Sequence, residues 1–181
     1  MKLGILSDSH NHREGAEGAL RRFLEERVDL VLHLGDVCSP ETLIGFRASG
    51  IPLAGVFGNN DGDRQGLQTV SGNGFHRSPY MPVIGGTRIL MAHAFDELQA
   101  EIGEGGKYDL ILFGHTHRTL TMRVGRALVI NPGEACGFVT GRATCAVVDL
   151  GTMESRIHAI DAEDAAGGDL SSGSATRGSK R

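Results

Sequence analysis

An α/β fold carrying a second, hairpin-rich sheet is what this sequence predicts, and three observations predict it. Through the first third of the chain, short apolar runs alternate with helical patterns, the rhythm of parallel strands joined by crossovers. Beyond Gly74 the spacing shortens, and apolar runs are separated by Gly, Arg and Asn-Pro-Gly punctuation, as antiparallel strands are. Glycine accounts for 27 of 181 residues, against a usual share of about 7 per cent, so many tight turns or close backbone approaches are needed.

Leu3 to Leu6 is a short apolar run ending in Ser7 and Asp8, the pattern of a buried parallel strand. Ala16, Ala19, Leu20, Phe23 and Leu24 then recur at helical spacing, with Arg21, Arg22, Glu25 and Glu26 between them. Asp29 to Leu34 closes on Gly35 and Asp36 as a second strand, and Pro40 opens a helix expected to run to about Ala48. Ile51 to Phe57 is a third strand, stopping at Gly58, Asn59, Asn60 and Asp61. Met81 to Ile84 and Arg88 to Ala92 flank a turn at Gly85 and Gly86. Asp96 to about Ile102 reads as a short helix, and Asp109 to Phe113 as a strand ending at Gly114 and His115. Thr119 to Val124, Ala127 to Ile130, Gly137 to Val139, Thr144 to Leu150 and Glu154 to Ala159 complete the predicted strands. From about Asp161 the chain turns to Ala, Gly, Ser and charges, too poor in apolar groups to offset ordering entropy. One domain over residues 1–160 with a disordered tail over 161–181 is expected.

The formal net charge of −4 gives no polyelectrolyte footprint, so stable nucleic-acid binding is not expected. Hydrophobic residues at 40% and charged residues at 22% exclude a wholly disordered chain and a collagen. Cys38, Cys136 and Cys145 form no Cys-x-x-Cys pair and no even disulfide framework, which suits buried reduced thiols. Met1 and Lys2 lead straight into a β-type run, and no apolar stretch approaches the ~20 residues of a membrane span, so the expected compartment is the cytoplasm.

The chemistry is concentrated at strand ends. Asp8 and His10 follow the first strand, Asp36 the second and Asn59 the third, while His93 and the pair His115 and His117 follow later apolar runs. In an open α/β sheet the carboxyl ends of the strands border the ligand crevice, so these distant residues converge there. An Asp after a strand is often a helix cap and a lone His is usually a packing or surface residue. Five segments that each deliver a ligand-type side chain at a strand end are not explained that way. Imidazole, carboxylate and amide oxygen donors without a thiolate cluster suit a catalytic site for first-row ions. His33, inside a strand run, and His12, His76 and His158, outside the pattern, are left as packing or surface residues.

These blocks, Asp8-Ser9-His10, Gly35-Asp36, Gly58-Asn59-Asn60-Asp61, His93 and Gly114-His115-Thr116-His117, resemble in order the signature of the calcineurin-like metallophosphoesterases, and within them the small bacterial and archaeal phosphodiesterases. The resemblance runs from the start to about residue 160. It implies a four-layer α/β/β/α sandwich of two mixed sheets. It also implies two divalent ions, manganese before nickel, iron or zinc, with Asp8, His10, Asp36 and His117 on one and Asp36, Asn59, His93 and His115 on the other. Such a pair, roughly 3.5 to 4 Å apart, hydrolyses phosphate diesters through a bridging hydroxide. Asp36, His93 and Asn60 are the residues then expected to serve catalysis, on a small phosphodiester substrate. A homo-oligomer is suggested by relatives alone.

Two positions depart from the family pattern. Asn60 stands where many members carry a proton-donating His, and a carboxamide does not titrate usefully. His93-Ala94-Phe95 replaces a common His-Gly-His; Phe95 removes a polar group near the second ion, which bears on substrate contacts more than on metal loading, with ordinary core packing as the plainer alternative. Asn131-Pro132-Gly133 resembles a turn of the subgroup, with Glu134 where a small Ser is common. A metal-binding protein-interaction scaffold of the same fold, and a phosphoprotein phosphatase, are the alternatives to a diesterase.

Overall fold

The computed structural model describes residues 1–102 and 106–160, so the tail expected over 161–181 lies outside the described residues. The first half contains β1 (Lys2–Leu6), α1 (Arg13–Glu25), β2 (Leu30–His33), α2 (Ile44–Ser49), β3 (Leu53–Val56), α3 (Arg64–Ser71) and β4 (Phe75–His76). There follow β5 (Val83–Ile84), β6 (Thr87–Met91), α4 (Gln99–Ile102), β7 (Leu110–Leu112), β8 (Thr119–Val124), β9 (Ala127–Pro132), β10 (Thr144–Asp149) and β11 (Glu154–Ala159).

The strands make two mixed sheets, in the orders β11-β10-β1-β2-β3-β4 and β5-β6-β7-β9-β8. β1 to β4 run parallel, with β10 antiparallel to β1, while β6, β7 and β9 run parallel between antiparallel β5 and β8. The period-2 alternation of β1 divides its side chains between two cores. Leu3 and Ile5 join Leu32, Leu110, Leu112 and Ile130 between the sheets, whereas Leu6 packs with Phe23, Phe46 and Leu67 under the helices. A third cluster, including Leu90, Leu98 and Phe113, covers the outer face of the second sheet. Gly4 lets α1 lie close, since a β-carbon there would stand 2.8 Å from the Phe23 ring.

Four local expectations are corrected. The Pro40 helix is split into a 3-10 turn, Pro40–Leu43, and α2, which ends at Gly50 in the left-handed region (φ 76). The helix expected from Asp96 begins one residue earlier, as a 3-10 turn over Phe95–Leu98. Residues 137–139 form no strand, because the Val139 amide is turned to the Glu134 carboxylate rather than to a neighbouring strand. α3 and β4 fall where no element was expected: Leu67 and Val70 are the buried residues of α3, too few for a visible apolar stripe.

Candidate metal centre

The parallel strands of each sheet end on the same side, and the loops leaving β1, β2, β3, β6 and β7 meet there. Several candidate ligands sit in left-handed backbone: Asp8 at φ 53, His10 at 43, Asp36 at 57, His115 at 64 and His117 at 60. That conformation costs an L-residue roughly 1–2 kcal/mol and persists where surrounding contacts over-determine it. Such contacts are present. The Asp61 carboxylate accepts from the backbone amides of Asp36 at 3.0 Å, Cys38 at 2.8 Å and Gly58 at 2.7 Å, tying the β2 and β3 loops together. The amides of Asp8 and His10 donate to the carbonyls of Gly35 and Asp36, each at 3.0 Å.

Around Asp8, one carboxylate oxygen is satisfied and the other is not. Oδ2 accepts from the Ser7 hydroxyl at 2.6 Å and the His115 amide at 3.0 Å. Oδ1 is buried without a hydrogen-bond partner among the described residues. It faces Nε2 of His117 at 3.5 Å and Nε2 of His10 at 3.7 Å. A buried carboxylate oxygen with no donor and two imidazole nitrogens beside it fits a cation.

Asp36 joins this group to a second one. Its Oδ2 lies 3.7 Å from Nε2 of His10 and 3.5 Å from Nε2 of His93. That His93 nitrogen is also 3.0 Å from Oδ1 of Asn59 and 3.2 Å from Nδ1 of His115. All seven candidate ligands therefore stand in one cluster with Asp36 in the middle, and two groups, Asp8 with His10 and His117, and Asp8 with Asp36 and His93, are compact enough to hold an ion.

The rings are oriented from behind. Nδ1 of His93 meets the Leu34 carbonyl at 2.8 Å and Nδ1 of His117 meets Oε2 of Glu134 at 2.7 Å, which leaves both Nε2 atoms aimed at the cluster. Burial pushes the Asp8 carboxyl above the usual carboxylate range, opposed by the Ser7 hydrogen bond. Asp36 is also buried, yet hydrogen bonds from His93 and from the backbone and side chain of Asn60 hold it well below that range. Burial disfavours a proton on His93, but the Asp36 carboxylate and the Leu34 carbonyl outweigh it and raise the ring to about 9. The Asp36 carboxylate that raises the ring is also an attractive partner for a cation.

A third compact group, His117 with Glu134 and Cys136, is chemically different. The Glu134 carboxylate already accepts from Val139, from the amide and hydroxyl of Thr140 and from the Cys136 thiol. Burial raises Cys136 to about 12, so it offers a thiol and not a thiolate. This is a hydrogen-bond network that fixes His117.

Asn60 is turned onto Asp36: its amide N–H donates to Oδ1 at 2.8 Å and its carboxamide to Oδ2 at 2.7 Å. Phe95 is not core packing. It is 43% exposed, with its ring edge-on to Phe113, because the 3-10 turn that starts there directs Leu98 inward instead. His12 lies against Phe138, His76 stacks on Tyr80 and His158 approaches Glu26, none of them in the cluster. His33 is buried in β2, where the Gly35 amide donates to Nδ1 at 3.1 Å and Nε2 meets the Ser9 hydroxyl at 3.1 Å.

Sequence reasoning named Glu134, Asp61, Ser7 and Asn131 only within their motifs and turns, without the supporting roles that the structure gives them. Asn131 donates to the Gly114 carbonyl at 2.9 Å and to the Thr116 hydroxyl at 3.0 Å, bracing the loop that carries His115 and His117. The available signal was their place beside ligand-bearing turns, where short polar side chains close the backbone.

The calcineurin-like phosphoesterase superfamily domain matches residues 1–153. A phosphodiesterase of Methanocaldococcus jannaschii is 32% identical over 161 residues, covering 86% of this chain and 97% of that protein. The structure of an archaeal phosphodiesterase superposes with a TM-score of 0.79 at 31% identity, over 88% of this chain and 99% of the other. A phosphoesterase from E. coli, at 18% identity, TM-score 0.63, and coverage of 89% and 100%, shares the fold.

Proposed function

Since the chain belongs to the calcineurin-like phosphoesterase superfamily, we propose that it is a divalent-metal-dependent phosphodiesterase acting on small phosphate diesters in the cytoplasm. The observation that carries this reading is the orphaned, buried Oδ1 of Asp8 between the rings of His10 and His117, beside an Asp36 carboxylate shared with His93. Asp8, His10, Asp36 and His117 hold one ion, and Asp36, Asn59, His93 and His115 the other. Carboxylate, amide and imidazole donors admit manganese, nickel, iron or zinc, and we propose manganese on the family resemblance alone.

Two such ions supply a water deprotonated near neutral pH and a clamp on the phosphate oxygens. The chain's own part is to keep the donors in place before substrate arrives. Asp36 spans both subsites, and Asn60 fixes its carboxylate through both oxygens. The rings of His93 and His117 are locked through Nδ1, so each presents a single nitrogen. A metal-activated water makes a protein nucleophile unnecessary, and Ser7 and Ser9, the hydroxyls nearest Asp8 in sequence, are fully buried and so closed to a substrate. A scaffold role gains no support from the donor set, in which every ligand position keeps a ligating side chain.

The test is metal analysis followed by hydrolysis of an activated aryl diester by the manganese-loaded protein. Asp8→Ala and His117→Ala should lose both metal and turnover. Hydrolysis undiminished in both variants would overturn the assignment, and phosphopeptide turnover above diester turnover would move it to a phosphoprotein phosphatase.

A further inference from the structure

A cleft of about 460 Å³ opens directly beside the second subsite, with Asn59 and His93 in its wall. Phe57, Arg64, Arg77 and Glu97 also line it. Its volume lies within the range that takes a small ligand. The cluster described above accounts for Asn59 and His93 but gives no role to the two arginines.

Neither guanidinium group is neutralised, and one of them, Arg64, is held in place. Arg64 lies over the Phe57 ring at 5.0 Å, and its Nε donates to the Asp61 carbonyl at 3.3 Å. The nearby carboxylates are engaged elsewhere: Asp61 accepts from the three backbone amides that tie the β2 and β3 loops, and Asp63 caps α3 by accepting from Gly66 at 2.9 Å. Arg77, exposed just beyond β4, has no hydrogen bond or ion pair among the described residues. Glu97 brings the cleft one negative charge, and its Oε1 accepts from the Ala94 amide at 3.0 Å. Arg64 occupies one face of the Phe57 ring. What the cleft offers is two planar forks of N–H donors, which match phosphate oxygens.

We propose that this cleft receives the part of the substrate beyond the scissile phosphate, and that this part carries a second phosphate group held by Arg64 and Arg77. The inference rests on the phosphodiesterase reading and deepens it from diesters in general to small diesters bearing a further phosphate. Two guanidinium groups suit a phosphate dianion better than a carboxylate. The acidic balance of the whole chain, with a net charge of −4, favours a small molecule over a polyanionic strand.

Calorimetric titration of the manganese-loaded full chain with propane-1,3-bisphosphonate and with propylphosphonate tests this without turnover. The bisphosphonate should bind at least about tenfold tighter, the scale of one charge-assisted contact. Arg77→Ala and Arg64→Ala should each remove most of that advantage, and Glu97→Gln, which keeps an acceptor for Ala94 while losing the charge, should widen it. Arg77 makes no contact that folding depends on, so its variant is informative even where Arg64→Ala is destabilised. Equal affinity for the two probes, or an advantage that survives Arg77→Ala, would overturn the proposal whether or not aryl diesters are hydrolysed. Absence of all diester hydrolysis would strike the activity, while the probe preference would still decide the cleft. A single-stranded oligonucleotide that displaces the bisphosphonate and loses affinity in the arginine variants would overturn the small-substrate assignment in favour of a strand.

Discussion

Oε2 of Glu134 stands 2.7 Å from Nδ1 of His117, and the carboxylate that makes this contact is completely buried. Donors from His117, Thr140 and Cys136 overcome that burial and hold Glu134 down to about 2, so it is charged at neutral pH. A carboxylate behind a ligating imidazole fixes its tautomer and strengthens it as a donor. Glu134→Gln keeps the shape and loses the charge. Metal affinity should fall by about 10–100-fold, read by competition with a chelating indicator, with circular dichroism unchanged. An unaltered affinity would mean that His117 does not depend on this carboxylate.

Asp36→Ala should affect both subsites at once, because the carboxylate lies between His10 and His93. Bound metal should drop at both positions, and diester turnover by more than about 100-fold, beyond the cost of losing an outer partner. Elemental analysis and initial rates check this; full metal occupancy in the variant would contradict the shared role.

Leaving groups should matter steeply. Asn60 cannot protonate a departing alkoxide, and its carboxamide already donates to Asp36 at 2.7 Å. General-acid help worth about 100- to 10,000-fold is therefore missing at this position. Activated aryl diesters should be cleaved far faster than alkyl diesters, and Asn60→His should raise the alkyl rate. Equal rates on both classes in the unmodified protein would defeat the argument.

His33 sets an acid limit on stability. Burial lowers it to about 4, below the ordinary imidazole value, so the folded chain keeps it neutral while the unfolded chain takes up a proton near pH 6.5. The stability it contributes is complete above about pH 6.5 and is lost as the pH falls through about 4. A shift of this size is on the order of 3 kcal/mol. His33→Gln should flatten the dependence of the urea midpoint on pH across that window, and an unchanged slope would assign the acid sensitivity to other groups.

The parallel half and the ligand loops were legible because their signals are local. Apolar runs ending in Ser7-Asp8, Gly35-Asp36 and Gly58-Asn59 announce both a strand and the candidate ligands at its end, and the family match agrees with the family that the five blocks resemble. The residues behind the ligands were not legible. Glu134 belongs to the centre through a contact 17 positions away in sequence, and Asp61 through amides of residues 36 and 38; periodicity carries no trace of either. For Phe95 the core-packing alternative fails, because an apolar side chain argues for burial only on average and the turn it opens points Leu98 inward instead. α3 was invisible because it is mostly polar and is stopped by Gly72 at φ 68.

The left-handed backbone at Asp8, His10, Asp36, His115 and His117 sets heat resistance against activity. Glycine tolerates that conformation best and ligates nothing. A library screened for melting temperature alone should therefore drift toward glycine at these five sites, whereas one screened for turnover should keep Asp and His there and gain its robustness elsewhere in the chain.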